Sequence, residues 1–476
     1  MVATSLCLVA ADARAETFDP LRTGEAVPMV PVTARIPGSV GVVPCEYGPP
    51  ASAMQLDEVV ERALCRNPLT ARTWANAQVQ AARLGQAQAA RLPTISGVVS
   101  GSANQANTSS TSSLASQGAY DGPARAAELS LDWVLLDFGA RRAEVRKARE
   151  LLAAADESFN AAVLDVLYAT ARDYFAALTA RAQVDAARMA QANALQSLNA
   201  VRARLASGVV SIADELQART AHNEATLRVV KATNALHEAE GTLAIDMGLQ
   251  PDVPIHLVDI PENVRDTRPP LEGIRLLIEQ ALATHPRLRA ARAERNATDA
   301  AVDVSRAQGL PSVHLEAGLS RSTRPGASMG DDLPVTSTSR SNYVGVRVTI
   351  PFFDGFGTTY RIKEARMQAE VQRANLAETE QQVALNVWKS YEAVRSGADT
   401  LEQAEALQQN AALAFDATRA RYNAGIANIV ELLRAQDVLV DATQQRISVQ
   451  SDWRVARLSL AASLGKLDIS TFRNRP

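Results

Sequence analysis

The chain has 476 residues, with 49 Lys and Arg against 52 Asp and Glu, and a formal net charge of -3. That near-neutral balance excludes the strongly basic face of a nucleic-acid binder, and a length beyond the ~250–300 residues at which single cores stop growing asks for more than one structural unit. Aromatics make up only 4%, which suits long, closely packed helices better than a large globular core. The first feature in chain order is an apolar run, Val2 to Ala10, followed by Ala13-Arg14-Ala15, a small-x-small pattern of signal cleavage. Residues 1–15 are therefore expected to be a signal peptide that removes Cys7, and residues 16–54 a Pro-rich N-terminal segment. Leu6 and Pro44 stand before Cys7 and Cys45 where a lipid anchor would need a small residue, so no lipid attachment is expected. Cys45 and Cys65 remain and can pair in an oxidising compartment. No apolar run reaches the ~18 residues of a transmembrane helix, an absence that leaves open a β-barrel, whose signal is much weaker.

From Gln55 onward the chain states one unit twice, over residues 55–250 and 271–467, with a linker at 251–270 and a tail at 468–476. "ERALCRNP" (Glu61–Pro68) falls on "EQALATHP" (Glu279–Pro286), and Phe138-Gly139 falls on Phe356-Gly357, both at an offset of 218. "ARLASGVVSIADELQA" from Ala203 falls on "ARYNAGIANIVELLRA" from Ala420 at an offset of 217. So small a slip over so long a stretch marks a duplicated structural unit.

Each unit opens with a helix of about 24 residues ending near Pro93 or Pro311, roughly 36 Å long. Strands follow at about 94–106 and 126–136, and again at about 312–321 and 342–351, where apolar and polar residues alternate, more weakly over Ile95–Asn104 than in the other three. Leu129, Leu131 and Trp133 alternate with Glu128, Ser130 and Asp132; Val344, Val346 and Val348 alternate with Gly345, Arg347 and Thr349. The strand pairs are joined by serine- and threonine-rich loops suited to an aqueous surface. After Pro123 no proline occurs until Pro251, and after Pro351 none until Pro476. Because proline breaks helix interiors, these tracts are expected to form helical hairpins over 139–247 and 357–464, each turning once at Gly208 or Gly425. The first arm of each would be roughly 100 Å long.

The joints between strand and hairpin are "LLDFGA" and "PFFDGFGT". Gly139, Gly355 and Gly357 are expected to permit the bend, Phe138 and Phe356 to sit at a membrane interface, and Asp137 and Asp354 to cap the following helix. Four strands cannot close a barrel, and open edges are forbidden in hydrocarbon. The chain must pool strands with copies of itself; two, three or four copies would give eight, twelve or sixteen strands.

This combination of duplicated unit, "LDFG" and "FFDGFG" joints, and "GVVSIADELQAR" and "YNAGIANIVELLRAQ" turns resembles the TolC family of outer-membrane channel-tunnels over residues 55–467. The missing lipid-anchor motif makes the chain look like the secretion branch, which includes outer-membrane components of adenylate cyclase-haemolysin toxin exporters. The resemblance implies a mainly α fold with membrane β. It also implies a homotrimer forming a twelve-stranded β-barrel continued into a twelve-helix periplasmic tunnel in the Gram-negative outer membrane. The implied partners are a periplasmic adaptor and an inner-membrane ABC or other pump, and the implied cargo is protein or small molecules. Gly208 and Gly425 would then mark the periplasmic tip. Aligning the turns assigns linking positions to Asp214, Gln217 and Tyr422, and constriction positions to Glu431 and Arg434. The family's second acidic ring position is Arg434 here and its linking arginine is Ala427, so an anionic constriction is in doubt.

No enzyme is expected. His222, His237, His256, His285 and His314 lack metal-ligand spacing, and Asp137-Phe138-Gly139 has no accompanying kinase catalytic loop. No cofactor is implied. The alternative is a periplasmic coiled-coil adaptor, which also uses long helical hairpins but in a single copy without strand pairs.

Overall fold

The computed structural model describes residues 19–24, 53–108, 118–258, 273–325 and 336–467. The proposed signal peptide, Cys45 and the C-terminal tail lie outside these residues. In the first repeat, α1 (Leu56–Arg66) and α2 (Pro68–Ala89) lead to β1 (Thr94–Thr108), β2 (Gly118–Leu136), α3 (Ala140–Ala206) and α4 (Ile212–Asp246). The second gives α5 (Ile274–Thr284), α6 (Pro286–Ala307), β3 (Ser312–Pro325), β4 (Thr336–Thr349), α7 (Gly357–Asn423) and α8 (Ile429–Ser463). Both α3 and α7 have 67 residues and both α4 and α8 have 35, roughly 100 Å and 52 Å at 1.5 Å per residue.

The short leading helices come from one local device used twice. Asn67 and His285 stand before prolines, which push the preceding residue out of helical geometry, and both adopt extended backbone with ψ of 127° and 128°. Their side chains then cap the next helix: Asn67 Oδ1 accepts from Leu69 N at 2.9 Å, and His285 Nδ1 accepts from Arg287 N at 3.2 Å. Burial lowers the His285 pKa, with the Arg287 charge adding to it; the neutral ring is the form that can accept this bond.

The residues fall into two compact units. Of the described residues, one contains those within Val79–Ala153 and Ala293–Ala374, and the other those within 53–78, Ala154–Arg292 and Asn375–Pro476. The first carries an antiparallel sheet in the order β1-β2-β3-β4. Strand β2 pairs with β3 across the repeats, with an irregularity between Val134 and Leu136. All four strands run further into the polar loops than their composition suggests, and β4 also stops at Thr349 rather than 351. Serine and threonine there report exposure to water, while the ladder hydrogen bonds continue regardless of side-chain polarity.

The second unit carries the packed core. Leu64, Val59 and Val60 of α1 pack with Leu167, Ala171 and Tyr174 of α3 and Leu243 and Met247 at the end of α4. The corresponding cluster in the second repeat joins Leu277 and Ala281 of α5 to Val383, Val387 and Val394 of α7, Leu460 of α8 and Leu464 just after it. Tyr174 completes the first cluster by donating its hydroxyl to Val258 O at 2.7 Å. Cys65 is disulfide-bonded.

Candidate functional site

Three places carry the residues singled out from sequence: the hairpin turns, the strand-helix joints and the sheet. At the first turn Gly208 has φ of +74°, and at the second Gly425 has φ of +77°. Each closes its helix with paired backbone bonds: Gly208 N to Leu205 O and Val209 N to Arg204 O, then Gly425 N to Tyr422 O and Ile426 N to Arg421 O. This is the left-handed C-terminal cap that only glycine adopts without penalty.

The return helices begin on capping side chains. Ser211 and Asp214 form a reciprocal box, with Ser211 N donating to Asp214 Oδ2 at 2.9 Å and Asp214 N donating to Ser211 Oγ at 3.3 Å. Asn428 accepts from Glu431 N at 2.9 Å. Tyr422 is buried, its ring lying 4.4 Å from the Arg204 guanidinium carbon. Arg204 Nη2 also donates to the carbonyls of Tyr422 and Asn423 at 2.7 and 3.0 Å. Arg204 thus ties the end of α3 to the end of α7, where the last carbonyls and the helix dipole favour a cation. Burial raises the Tyr422 pKa, opposed by Arg204 and reinforced by the charge of Asp214. The structure brings Asp214 and Tyr422 into one neighbourhood without a hydrogen bond between them, and among the described residues the Tyr422 hydroxyl makes no hydrogen bond. Glu431 faces Arg421 at 3.7 Å on an exposed surface. Gln217 and Arg434 are exposed and, among the described residues, make no hydrogen bond or ion pair.

Two residues of the turn region lay outside the sequence expectation: Arg204, and Glu215, which is buried against Arg202 at 3.2 Å and Arg219 at 2.6 Å. Hydrogen bonds from Arg219 and then Arg202 lower its pKa. The repeat did hold a signal: Glu215 occupies the place of Leu432, itself buried at 2% exposure, so an acid stands at a core position.

At the joints the backbone turns left-handed at Phe138 (φ +49°) and Gly139 (φ +96°), and at Gly355 (φ +65°) and Phe356 (φ +66°). Gly357 does not supply the bend, contrary to the expectation for it. It opens α7 in helical geometry, and an added Cβ would come within 3.3 Å of Asp354 Oδ2. A non-glycine residue at positive φ is uncommon, and the same phenylalanine pays this strain in both repeats. Asp137 accepts from Gly139 N at 3.1 Å and Arg141 N at 2.9 Å, and pairs with Arg141 Nε at 2.7 Å. Burial raises its pKa, but the Arg141 and Gly139 hydrogen bonds outweigh this and the net shift is downward. Asp354 accepts from Thr358 Oγ1 at 2.6 Å and Thr358 N at 2.7 Å, which lowers its pKa. Around the second joint Phe352 is 90% exposed, and Phe353 and Phe356 meet edge to face at 5.4 Å.

On the sheet, register separates two faces. Asp132 lies opposite Glu316 and Ser130 opposite Ser96 and Gly318, while Leu131 lies opposite Ile95 and Ala317. The polar face pairs its charges: His314 Nδ1 is 3.5 Å from Asp132, and Arg347 is 2.8 Å from Glu316. The other face holds Ile95, Val99, Leu129, Leu319, Val344, Val346 and Val348, all exposed.

A carboxylate pair lies apart from these sites, at the end of α4. Burial pushes Asp246 up to about 7, with the charge of Asp173 next in importance, while Arg172 holds Asp173 at 2.8 Å. Since the folded value exceeds the unfolded one, the stability Asp246 contributes is fully present below pH ~4 and is lost as pH rises through ~7. Asp246→Asn is expected to flatten that part of the stability profile and to raise thermal stability at pH 8, measured by melting across pH; an unchanged profile would contradict this account.

The family model described as "Outer membrane efflux protein" matches residues 59–248 and 277–466, two stretches again offset by 218 residues. Protein CyaE of Bordetella pertussis is 29% identical over 439 residues, covering 91% of this chain and 89% of that protein. Pyoverdine export outer membrane protein OpmQ of Pseudomonas aeruginosa is 27% identical over 426 residues, covering 87% and 85%. Among solved structures, the outer membrane protein VceC of Vibrio cholerae matches with a TM-score of 0.72 at 19% identity, covering 86% of this chain and 96% of that one. That last likeness concerns fold alone.

Proposed function

Because the chain belongs to the outer membrane efflux protein family, we propose that three copies pool four strands each into a twelve-stranded barrel and their hairpins into a twelve-helix periplasmic tunnel. The protein is an outer-membrane export channel. The observation that supports pooling is the open four-stranded sheet, apolar on one face and charged on the other. Its outer strands β1 and β4 would leave backbone groups unsatisfied in lipid unless another copy paired with them. The polar face then lines water and the apolar face meets the bilayer. No catalytic step belongs to this reading.

The channel works with a periplasmic adaptor and an inner-membrane pump, docking through the turns at Gly208 and Gly425. Val209, Ile212 and Ile426 are exposed there, an apolar surface suited to a partner helix. Export of pyoverdine by the relative OpmQ supports small-molecule cargo, and the likeness to the alkaline protease secretion protein AprF supports protein cargo. Two repeated hairpins joined to strand pairs disfavour the adaptor alternative.

Purified protein in a planar bilayer should give discrete, long-lived conductance steps; their absence from an inserted oligomer would defeat the channel reading. Gly425→Pro forces φ near -65° where the turn holds +77°. Oligomers of this variant are expected to reach the outer membrane, while export falls sharply in an assay of secreted cargo. Normal export would remove the docking role.

A further inference from the structure

Every charged side chain described on the apolar face of the sheet is an arginine, and all three lie at one end of it. Val313, Leu315, Ala317 and Leu319 run along β3, Trp133, Leu131, Leu129 and Ala127 along β2, and Val348, Val346 and Val344 along β4. Beyond them come Arg321 and Arg340, directly opposite each other, and Arg125, opposite Thr323 one rung further out. The three are exposed, and among the described residues none has a hydrogen-bond or ion-pair partner. The polar face differs, since Arg347 and His314 there are paired with carboxylates. Like charges directly opposite across a strand pair are destabilising, so this arrangement calls for an anion.

Height along the strand says which anion. Leu136 and Arg125 are about eleven residues apart in β2; at ~3.4 Å per residue and ~40° tilt this is roughly 29 Å, just beyond the ~25 Å apolar band of an outer-membrane barrel. A guanidinium is costly at mid-bilayer and tolerated at its edge. Its planar fork matches phosphate with two parallel hydrogen bonds. The hydroxyls of Thr323 and Thr338, 3.5 Å apart on the next rung, add neutral donors.

We infer that Arg125, Arg321 and Arg340 bind the phosphate groups of an anionic, multiply phosphorylated lipid in the outer leaflet. This rests on the barrel reading, in which this face meets lipid. The test compares the wild-type oligomer with Arg125→Gln/Arg321→Gln/Arg340→Gln in phosphatidylcholine vesicles, with and without a bisphosphorylated glucosamine-disaccharide lipid. Thermal dissociation of the oligomer and native mass spectrometry of retained lipid are the readouts. The wild type should dissociate at a higher temperature when the phosphorylated lipid is present, and the variant should lose that rise and retain about tenfold less of the lipid. Arg324→Gln, on the opposite face beside Ser337, should behave as wild type. Equal rises in wild type and triple variant would overturn the inference, as would a rise of the same size from inorganic phosphate alone. Should the triple variant fail to insert, Arg340→Gln alone carries the comparison. Quenching of Trp133 by acyl-brominated phosphatidylcholine reports insertion separately: its absence defeats the barrel reading, whereas quenching with no lipid-dependent rise defeats only the arginine site.

Discussion

Leu131→Lys is expected to abolish stable assembly in the outer membrane, whereas Ser130→Lys, one residue away, should be tolerated. Leu131 sits between Ile95 and Ala317 on the apolar face, about five residues from the end of β2 and so near mid-bilayer. A charge there costs roughly 2 to 4 kcal/mol per chain, and a trimer bears it three times. Ser130 lies on the other face, its hydroxyl 2.8 Å from that of Ser96, where a lysine amine would enter water. Heat-resistant oligomer in outer-membrane fractions is the measurement. Equal tolerance at both positions would sink the barrel assignment, because no soluble sheet capping a helical bundle distinguishes its faces so sharply.

Arg204→Ala is expected to raise spontaneous opening of the tip by about tenfold or more, read as single-channel conductance. Hydrogen bonds to a charged group contribute roughly 1.5 to 3 kcal/mol, and Arg204 makes two to carbonyls at the end of α7 while covering the Tyr422 ring. Partial exposure discounts that figure, yet about 1.4 kcal/mol already gives a tenfold shift. Arg204→Lys should fall between, since an ammonium keeps the charge but loses the planar stacking. Arg421→Ala should do little, because its contact with Glu431 is an exposed pair at 3.7 Å of the kind worth ~0–1 kcal/mol. Unchanged conductance in Arg204→Ala would remove this residue from the closure. Tyr422→Phe is a sharper probe still. Among the described residues the hydroxyl makes no hydrogen bond and only Arg204 bears on it electrostatically with Asp214, so a gating effect of its loss that persists in the Arg204→Ala background would report a contact made by another copy. Asp214 cannot be read so cleanly, because its carboxylate already closes the cap of α4.

What the sequence by itself determined is everything carried by local periodicity and by repetition. The two hairpins, their turns at Gly208 and Gly425 and the period-two strands follow from proline spacing, glycine position and alternation, all of which act over a few residues at a time. Even the slip from an offset of 218 to 217 was legible, because duplication copies the local code along with the fold. Tertiary structure decided the rest. The left-handed phenylalanines at 138 and 356 were hidden, since sequence gives no reason to place strain on an aromatic with glycines beside it. The strand ends were hidden because ladder bonds are made by backbone, which composition does not report. The order β1-β2-β3-β4, and with it the placing of Arg125 one rung from the Arg321–Arg340 pair, joins residues distant in sequence. Arg204 meeting Tyr422, 218 residues away, is of the same kind: neither residue is unusual in its own helix, and only the packing of two helix ends puts a cation over that ring.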